Sequence, residues 1–348
     1  MSPFILVILT LSLIMGTLMA ITTSHWIMAW IGLEINTFAI LPFMSQKQYP
    51  RTIEATMKYF IIQTSATTML LFAIIMNAWV TGEWGIQQTN HPLTLTMTTT
   101  ALLMKMGLAP LHAWFPEIMQ GLNFLSGLIL STWQKLAPFS LLLQLVNNNP
   151  NLTSILGLLS ILVGGWGGLN QTQTRKILSY SSIAHLGWML LISRYMPKLA
   201  LLAFIIYTIM TFAMFTMLWF NQSTTLKMLS TSLIKTPALM VIMPLILMSL
   251  GGLPPLTGFL PKWLILSELA KQNLTLFATT AALASLMSLF FYLRLSYTTA
   301  FTISPNFISM TVPWRIKTLF PTLPLAISVG LSLYLLPLSS MLLTTLVH

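Results

Sequence analysis

Residues 105–116 read KMGLAPLHAWFP and residues 251–262 read GGLPPLTGFLPK, each inside an apolar stretch longer than one membrane span. Proline removes a backbone donor and clashes with the preceding turn, so each stretch predicts a helix broken in its middle. Freed backbone groups at membrane depth are tolerated only where protein or a water-filled cavity satisfies them. Aligned at their glycines, the two stretches match at five positions: Gly107 with Gly252, Leu108 with Leu253, Pro110 with Pro255, Leu111 with Leu256 and Pro116 with Pro261.

The rest of the chain is also apolar. Of its 348 residues, 6% are charged and 56% hydrophobic, and the mean hydropathy is +0.83, whereas a soluble domain is about 25% charged. We therefore predict an all-α polytopic membrane protein whose residues 1–348 form one membrane domain. A span needs about 20 largely apolar residues, which predicts about eleven transmembrane helices, near residues 3–22, 25–44, 58–79, 93–121, 122–145, 150–171, 175–193, 198–221, 237–270, 275–301 and 322–346.

The position of the breaks predicts an internal repeat. Each broken helix is the fourth of five spans, so that residues 1–145 and 150–301 form two five-helix repeats, followed by a C-terminal helix at 322–346. Because five is odd, the second repeat enters the membrane from the opposite side and is inverted. Corresponding broken helices point to a transport site. The alternative is that this short motif recurs by chance.

Basic residues outnumber acidic ones, with sixteen Lys and Arg against five Glu, so the net charge is +11. They are scattered, which argues against a nucleic-acid partner. Cysteine is absent, which excludes thiolate-held clusters, disulfides and thiol nucleophiles. The loops on one side of the membrane carry three basic residues, and the loops on the other side carry ten. Because loops on the inner side of a membrane are enriched in Lys and Arg, this excess predicts that the N-terminus lies on the inner side. The ten are Lys47, Arg51, Lys58, Arg175, Lys176, Lys227, Lys235, Arg294, Arg315 and Lys317.

Four further charges fall within the spans: Glu34, Lys105, Lys135 and Lys262. An ionisable side chain at mid-membrane costs at least ~2.5–3.5 kcal/mol and usually marks an ion pathway. Three lysines cannot all pair with one glutamate, and an unpaired buried lysine can exchange its proton near neutral pH. This set predicts a proton relay. A static pair holding helices together is the alternative for Glu34, and a side chain extending to the interface is the alternative for Lys262.

Two histidines join these candidates. His185 lies within a span and His112 follows the first break, so either could titrate in the relay. The alternative for each is a neutral ring satisfied by a backbone carbonyl. Residues 164–168 (GGWGG) predict close helix packing rather than a dinucleotide loop. No phosphate loop, catalytic triad or metal-ligand spacing is present, so we expect no covalent chemistry, metal or cofactor in this chain.

These motifs together resemble the antiporter-like membrane subunits of respiratory complex I, in the shortened animal form. The segments that carry the resemblance are 105–117 (KMGLAPLHAWFPE), 133–135 (WQK), 180–185 (YSSIAH), 253–259 (LPPLTGF) and 33–36 (LEIN). The resemblance implies inverted five-helix repeats in a multi-pass protein of the mitochondrial inner membrane, with the N-terminus on the matrix side.

The resemblance also implies roles. Glu34 would pair with Lys105, Lys135 would be the central lysine, and His185 would lie on a hydrated axis leading to Lys262. Partners would be the other membrane subunits and lipid, while NADH, FMN, iron–sulfur clusters and ubiquinone belong to other subunits of this NADH:ubiquinone reductase. The implied function is proton translocation driven by quinone reduction, loading at Lys105 or Lys135 and leaving through Lys262. A stand-alone cation/proton antiporter, or a structural subunit with static buried charges, stays open.

Overall fold

The computed structural model describes the chain except for residues 1–2, 47, 90, 146–149, 232–236, 301–321 and 338–348. The described part contains fifteen α-helices, and its only extended pairing is two isolated β-bridges. The prediction of an all-α protein is therefore confirmed. Predicted features that lie outside the described residues are Lys47, Lys235, Arg315, Lys317 and the end of the C-terminal helix at 338–346.

The helices fall into two compact units, Met1–Leu159 and Ser160–His348, and α8 crosses the boundary between them. In chain order the helices are α1 (Pro3–Thr22), α2 (Trp26–Met44), α3 (Pro50–Thr81), α4 (Pro92–Met106), α5 (Trp114–Gly121), α6 (Phe124–Ser131), α7 (Trp133–Leu145), α8 (Pro150–Gly168), α9 (Thr174–Ser193), α10 (Pro197–Asn221), α11 (Leu226–Thr231), α12 (Pro237–Gly251), α13 (Phe259–Lys271), α14 (Thr275–Ala300) and α15 (Leu323–Tyr334).

Several of these helices can cross a bilayer alone. Within the described residues, five are long and apolar enough by length and composition: α1, α2, α3, α10 and α14. The predicted spans at 93–121, 122–145 and 237–270 are instead built from the pairs α4/α5, α6/α7 and α12/α13. The interruption at Thr132, between α6 and α7, was not predicted. There the Lys135 N–H donates to the Thr132 carbonyl, three residues back, at 3.3 Å.

Both predicted breaks are confirmed, and their backbones follow one pattern. Gly107 ends α4 with φ 72° and Gly252 ends α12 with φ 78°, a left-handed conformation that favours glycine. In each break the N–H groups of the glycine and of the next residue donate hydrogen bonds to carbonyls in the last turn of the preceding helix. These bonds run from Gly107 to Met104 (3.2 Å), Leu108 to Leu103 (3.1 Å), Gly252 to Ser249 (3.0 Å) and Leu253 to Met248 (3.3 Å).

The half-helices after the breaks also begin alike. The Phe115 N–H donates to the His112 carbonyl at 3.0 Å, and the Leu260 N–H donates to the Thr257 carbonyl at 3.2 Å. With the glycines aligned, these are equivalent positions.

Each unit pairs two of its loops. In the first unit His25 bridges Gly85, between the loops that follow α1 and α3. In the second unit Gln173 bridges Thr225, between the loops that follow α8 and α10. Loops that close in this way lie at the same end of their unit, as alternating spans require.

Small residues set the closest helix contacts. A Cβ on Gly164 would lie 2.7 Å from the Ala184 nitrogen, so α8 approaches the α9 backbone closely. A Cβ on Gly32 would lie 2.8 Å from the Gly16 carbonyl oxygen, which presses α2 against α1. The prediction of close packing at residues 164–168 is thus confirmed, because glycine lets two helix backbones touch.

Candidate functional site

Two buried lysines of the first unit share one cavity. Lys105 is in the last turn of α4 and Lys135 is in the first turn of α7, with 7% and 2% of their surfaces exposed. The space open to the centre of a water molecule is about 20 Å³, and about 10–15 Å³ holds one water. The lining residues are Leu33, Asn36, Thr37, Tyr59, Gln63, Lys105, Met106, Trp114, Phe115, Leu130, Gln134, Lys135 and Pro138.

The first break places an aromatic ring against one of these lysines. The Lys135 ammonium lies 4.4 Å from the centre of the Phe115 ring, a cation–π distance. Phe115 is the second residue of α5, directly after the break, and is 1% exposed. The broken helix therefore helps to hold the lysine of α7.

Glu34 lies beside this cavity on α2 and is half-buried. Its carboxylate accepts a hydrogen bond from the Thr37 hydroxyl at 3.3 Å, and it interacts electrostatically with Lys105. All five glutamates are described, and among the described residues no carboxylate lies within 4.0 Å of Lys105. The two groups thus act on each other at a distance rather than as a contact pair.

Two buried or half-buried amides line the same cavity. The Gln63 amide of α3 donates to the Lys105 carbonyl at 3.4 Å, and the Gln134 amide of α7 donates to the Asn36 carbonyl at 3.3 Å. No role was predicted for these glutamines from the sequence. In the sequence, each glutamine is a polar residue within an apolar span, and Gln134 is also next to Lys135. These features could have marked both glutamines as candidates.

The cavity wall also carries a buried donor, the indole Nε1 of Trp114, that has no hydrogen-bond partner within the described part of the chain. Ordered water commonly satisfies such groups. Together with the lysines and amides, this donor makes the cavity polar enough to hold water.

His112 lies within the first break and is half-buried. Its Nδ1 is 3.2 Å from the Pro110 carbonyl oxygen. A ring nitrogen at this distance from a carbonyl is the arrangement expected for the alternative in which the backbone satisfies a neutral histidine. His112 does not line the lysine cavity.

The remaining candidates lie in the second unit. The Lys262 ammonium donates to the Gly251 carbonyl, at the end of α12, at 2.7 Å. His185 on α9 lies 5.7 Å, between ring centres, from the buried ring of Tyr207 on α10. Lys262 therefore contacts the backbone of the second break.

Within the described ranges of the chain, three ion pairs join other charged residues. Lys58 pairs with Glu54 at 2.8 Å and with Glu117 at 3.1 Å, and Lys271 pairs with Glu268 at 3.1 Å. The Lys58 pairs are largely exposed to solvent. Among the described residues, no three His, Asp or Glu side chains gather as metal ligands.

Broken membrane helices and buried lysines around a polar cavity define the class of ion-translocating, antiporter-like membrane proteins. Comparison with known proteins agrees. The family model "NADH:quinone oxidoreductase/Mrp antiporter, TM" matches residues 23–288, and "NADH dehydrogenase subunit 2 C-terminus" matches residues 289–343.

Similar proteins cover nearly the whole chain. An NADH-ubiquinone oxidoreductase chain 2 of Tetraodon nigroviridis is 57% identical, over 99% of both chains. A chain of respiratory complex I from Thermus thermophilus has a TM-score of 0.86 and 26% identity, covering 99% of this chain and 81% of that one. A chain of the Mrp complex from Dietzia has the same fold, with a TM-score of 0.80 at 16% identity, covering 97% of this chain and 76% of that one.

The chain therefore belongs to the NADH:quinone oxidoreductase/Mrp antiporter family, in its branch of NADH-ubiquinone oxidoreductase chain 2.

Proposed function

We propose that this chain is a proton-translocating core membrane subunit of respiratory complex I in the mitochondrial inner membrane. Other subunits would hold NADH, FMN, iron–sulfur clusters and ubiquinone, and this chain would move protons. The observation that carries the proposal is the pair Lys105 and Lys135, buried around one cavity that can hold water.

Energetic cost favours a functional role for this pair. Each ionisable side chain at membrane depth costs at least ~2.5–3.5 kcal/mol, which a purely structural bundle has little reason to bear. A static ion pair would also require a carboxylate in contact, and among the described residues none lies within 4.0 Å of Lys105. A lysine that can lose its proton in a wet cavity suits transfer better than structural support.

The three lysines would act at successive steps of proton transfer. A proton would load onto Lys105 or Lys135 in the first unit and leave through Lys262 in the second, with His185 on the route. Glu34 would control loading, because moving its carboxylate toward or away from Lys105 changes how strongly that lysine holds its proton. His112, beside the first break, would be a further member of the set, because an Nδ1–H donated to the Pro110 carbonyl leaves Nε2 free to take up a proton.

The architecture would be two inverted five-helix repeats and a C-terminal helix, about eleven spans in all. The shared backbone pattern of the two breaks supports this repeat. The loop bridges support it as well, because each joins the loops that follow the first and third helices of its repeat. The N-terminus would lie on the matrix side, a proposal that the excess of bases on alternate loops supports.

The partners would be the other membrane subunits of the complex, together with lipid. Apolar side chains cover much of the outer surface of α1, with Phe4 74% and Leu11 55% exposed. Such surface needs a protein or lipid cover. A stand-alone antiporter would purify alone, whereas a core subunit comigrates with a large redox complex.

A lysine substitution in the assembled complex tests the proposal. We expect Lys135→Met to leave quinone reduction coupled to fewer protons, so that the ratio of protons pumped to electrons transferred falls in reconstituted vesicles. The reason is that methionine keeps the length of the side chain and removes the proton carrier.

The matched control is Lys227→Met, since Lys227 is exposed and forms no ion pair among the described residues. We expect this variant to pump normally. A normal ratio in fully assembled Lys135→Met would show that Lys135 is not a proton carrier.

A further inference from the structure

The first break leaves a carbonyl that its own backbone does not satisfy. Because Gly107 ends α4, the carbonyls of Leu103 and Met104 receive the N–H groups of the turn, and the Lys105 carbonyl has no helical donor. Among the described residues, the donor that reaches it is the Gln63 amide, at 3.4 Å. Gln63 is 3% exposed and lines the cavity that holds Lys105 and Lys135.

The second break satisfies its helix end differently. There the Lys262 ammonium caps the carbonyl of Gly251, the last residue of α12, at 2.7 Å. In the alignment of the two breaks, Glu117 takes the place of Lys262. Glu117 is turned to the surface, where it pairs with Lys58 on α3 at 3.1 Å. The first break therefore has no cation of its own to cap α4.

We infer that Gln63 is a positioning residue for Lys105. Its uncharged amide caps the end of α4 and fixes the turn that carries Lys105. Lys105 therefore does not have to cap a helix end, whereas Lys262 does. Without the Gln63 cap the end of α4 can move, which changes the distance between the Lys105 ammonium and the Glu34 carboxylate and therefore how strongly Lys105 holds its proton. This inference rests on the proposed proton-carrying role of Lys105.

The test is the pH profile of proton pumping in the assembled, reconstituted complex. Gln63→Met keeps the side-chain volume and removes the donor. A hydrogen bond of this kind changes an equilibrium by about two- to tenfold. We therefore expect the pH midpoint of pumping to move by about 0.3 to 1 unit. Other titratable or charged groups near Lys105 are Lys135 on α7, Tyr59 on α3 and Glu34 on α2, and all stay in place.

The matched control is Gln171→Met. The Gln171 amide also caps a carbonyl in the last turn of a helix, that of Gly167 in α8, at 3.2 Å, but that turn carries no lysine. The control should keep the parental profile. An unchanged profile in Gln63→Met, or an equal change in both variants, would overturn the inference.

Two further variants separate the possible failures. If Gln63→Met does not assemble, Gln63→Leu, which also removes the donor and adds no titratable group, takes its place, and an unchanged profile there would also overturn the inference. Lys105→Met tests the underlying function. If it pumps normally, the proton-carrying role of Lys105 fails. If it pumps poorly while Gln63→Met is unaffected, only the positioning role fails.

Discussion

The three lysines of the spans have different surroundings. Lys135 lies over the Phe115 ring, Lys105 lies in the cavity at a distance from Glu34, and Lys262 binds a backbone carbonyl. The sequence predicted all three as costly and functional, because the charge of a lysine and its depth in a span can be read from the chain. Their individual contacts could not be predicted, since each depends on which distant backbone or ring packs beside the ammonium.

This difference predicts unequal effects on stability. Lys262→Met removes a charge-assisted hydrogen bond, worth about 1.5–3 kcal/mol when buried and less here because Lys262 is half-exposed. We expect the heat-denaturation midpoint of the complex to fall, because this hydrogen bond is lost. Lys105→Met removes a buried charge that has no carboxylate in contact among the described residues, so the midpoint should stay or rise. Equal losses in both variants would contradict the contacts described for Lys262.

At the level of the helices, the two breaks share their backbone hydrogen bonds but differ in packing. Gly258, which begins the second half-helix, lies against the Ser249 carbonyl of α12 so closely that a Cβ would overlap it. Its counterpart in the first break is Ala113, which already carries a Cβ. Proline and glycine spacing was enough to predict where the helices stop. It could not show that only the second break brings its half-helices into such close contact.

A glycine substitution follows from this contact. Gly258→Ala must push α13 away from α12, and overpacking of this kind costs about 1–3 kcal/mol. We expect less assembled complex and a lower denaturation midpoint.

Gly330→Ala is the matched control. Gly330 lies within α15, and a Cβ there would meet no atom of the described residues within 4 Å. Alanine in a helix interior is favoured over glycine by about 0.5–1 kcal/mol, so this variant should be neutral or stabilised. Destabilisation by both variants would argue against a specific contact at Gly258.

On the scale of the whole molecule, the chain consists of two compact units, each with a broken helix and a pair of bridged loops. An inverted repeat requires the two bridged pairs to lie on opposite faces of the membrane. Because the chain has no cysteine, single cysteines can report these faces directly.

We expect Glu83→Cys to react with an impermeant thiol reagent from the intermembrane side, and Gln222→Cys to react from the matrix side. Both positions are exposed, in loops next to the bridges. The measurement is labelling of this subunit in intact and in inverted inner-membrane vesicles. Labelling of both from one side would exclude the inverted repeat, and labelling with the sides exchanged would reverse the predicted orientation.

Composition and spacing alone determined that the chain is an all-helical membrane protein, that two of its helices break at Gly107 and Gly252, and which charges are placed at the greatest cost. These properties depend on local backbone chemistry and on the transfer of side chains into lipid, so they can be read along the chain. Only the tertiary structure decided that Lys105 and Lys135 share a cavity, that Gln63 caps α4 and that Lys262 caps α12. In a bilayer both the packed and the lipid-facing sides of a helix are apolar, so periodicity does not mark which face meets a neighbour.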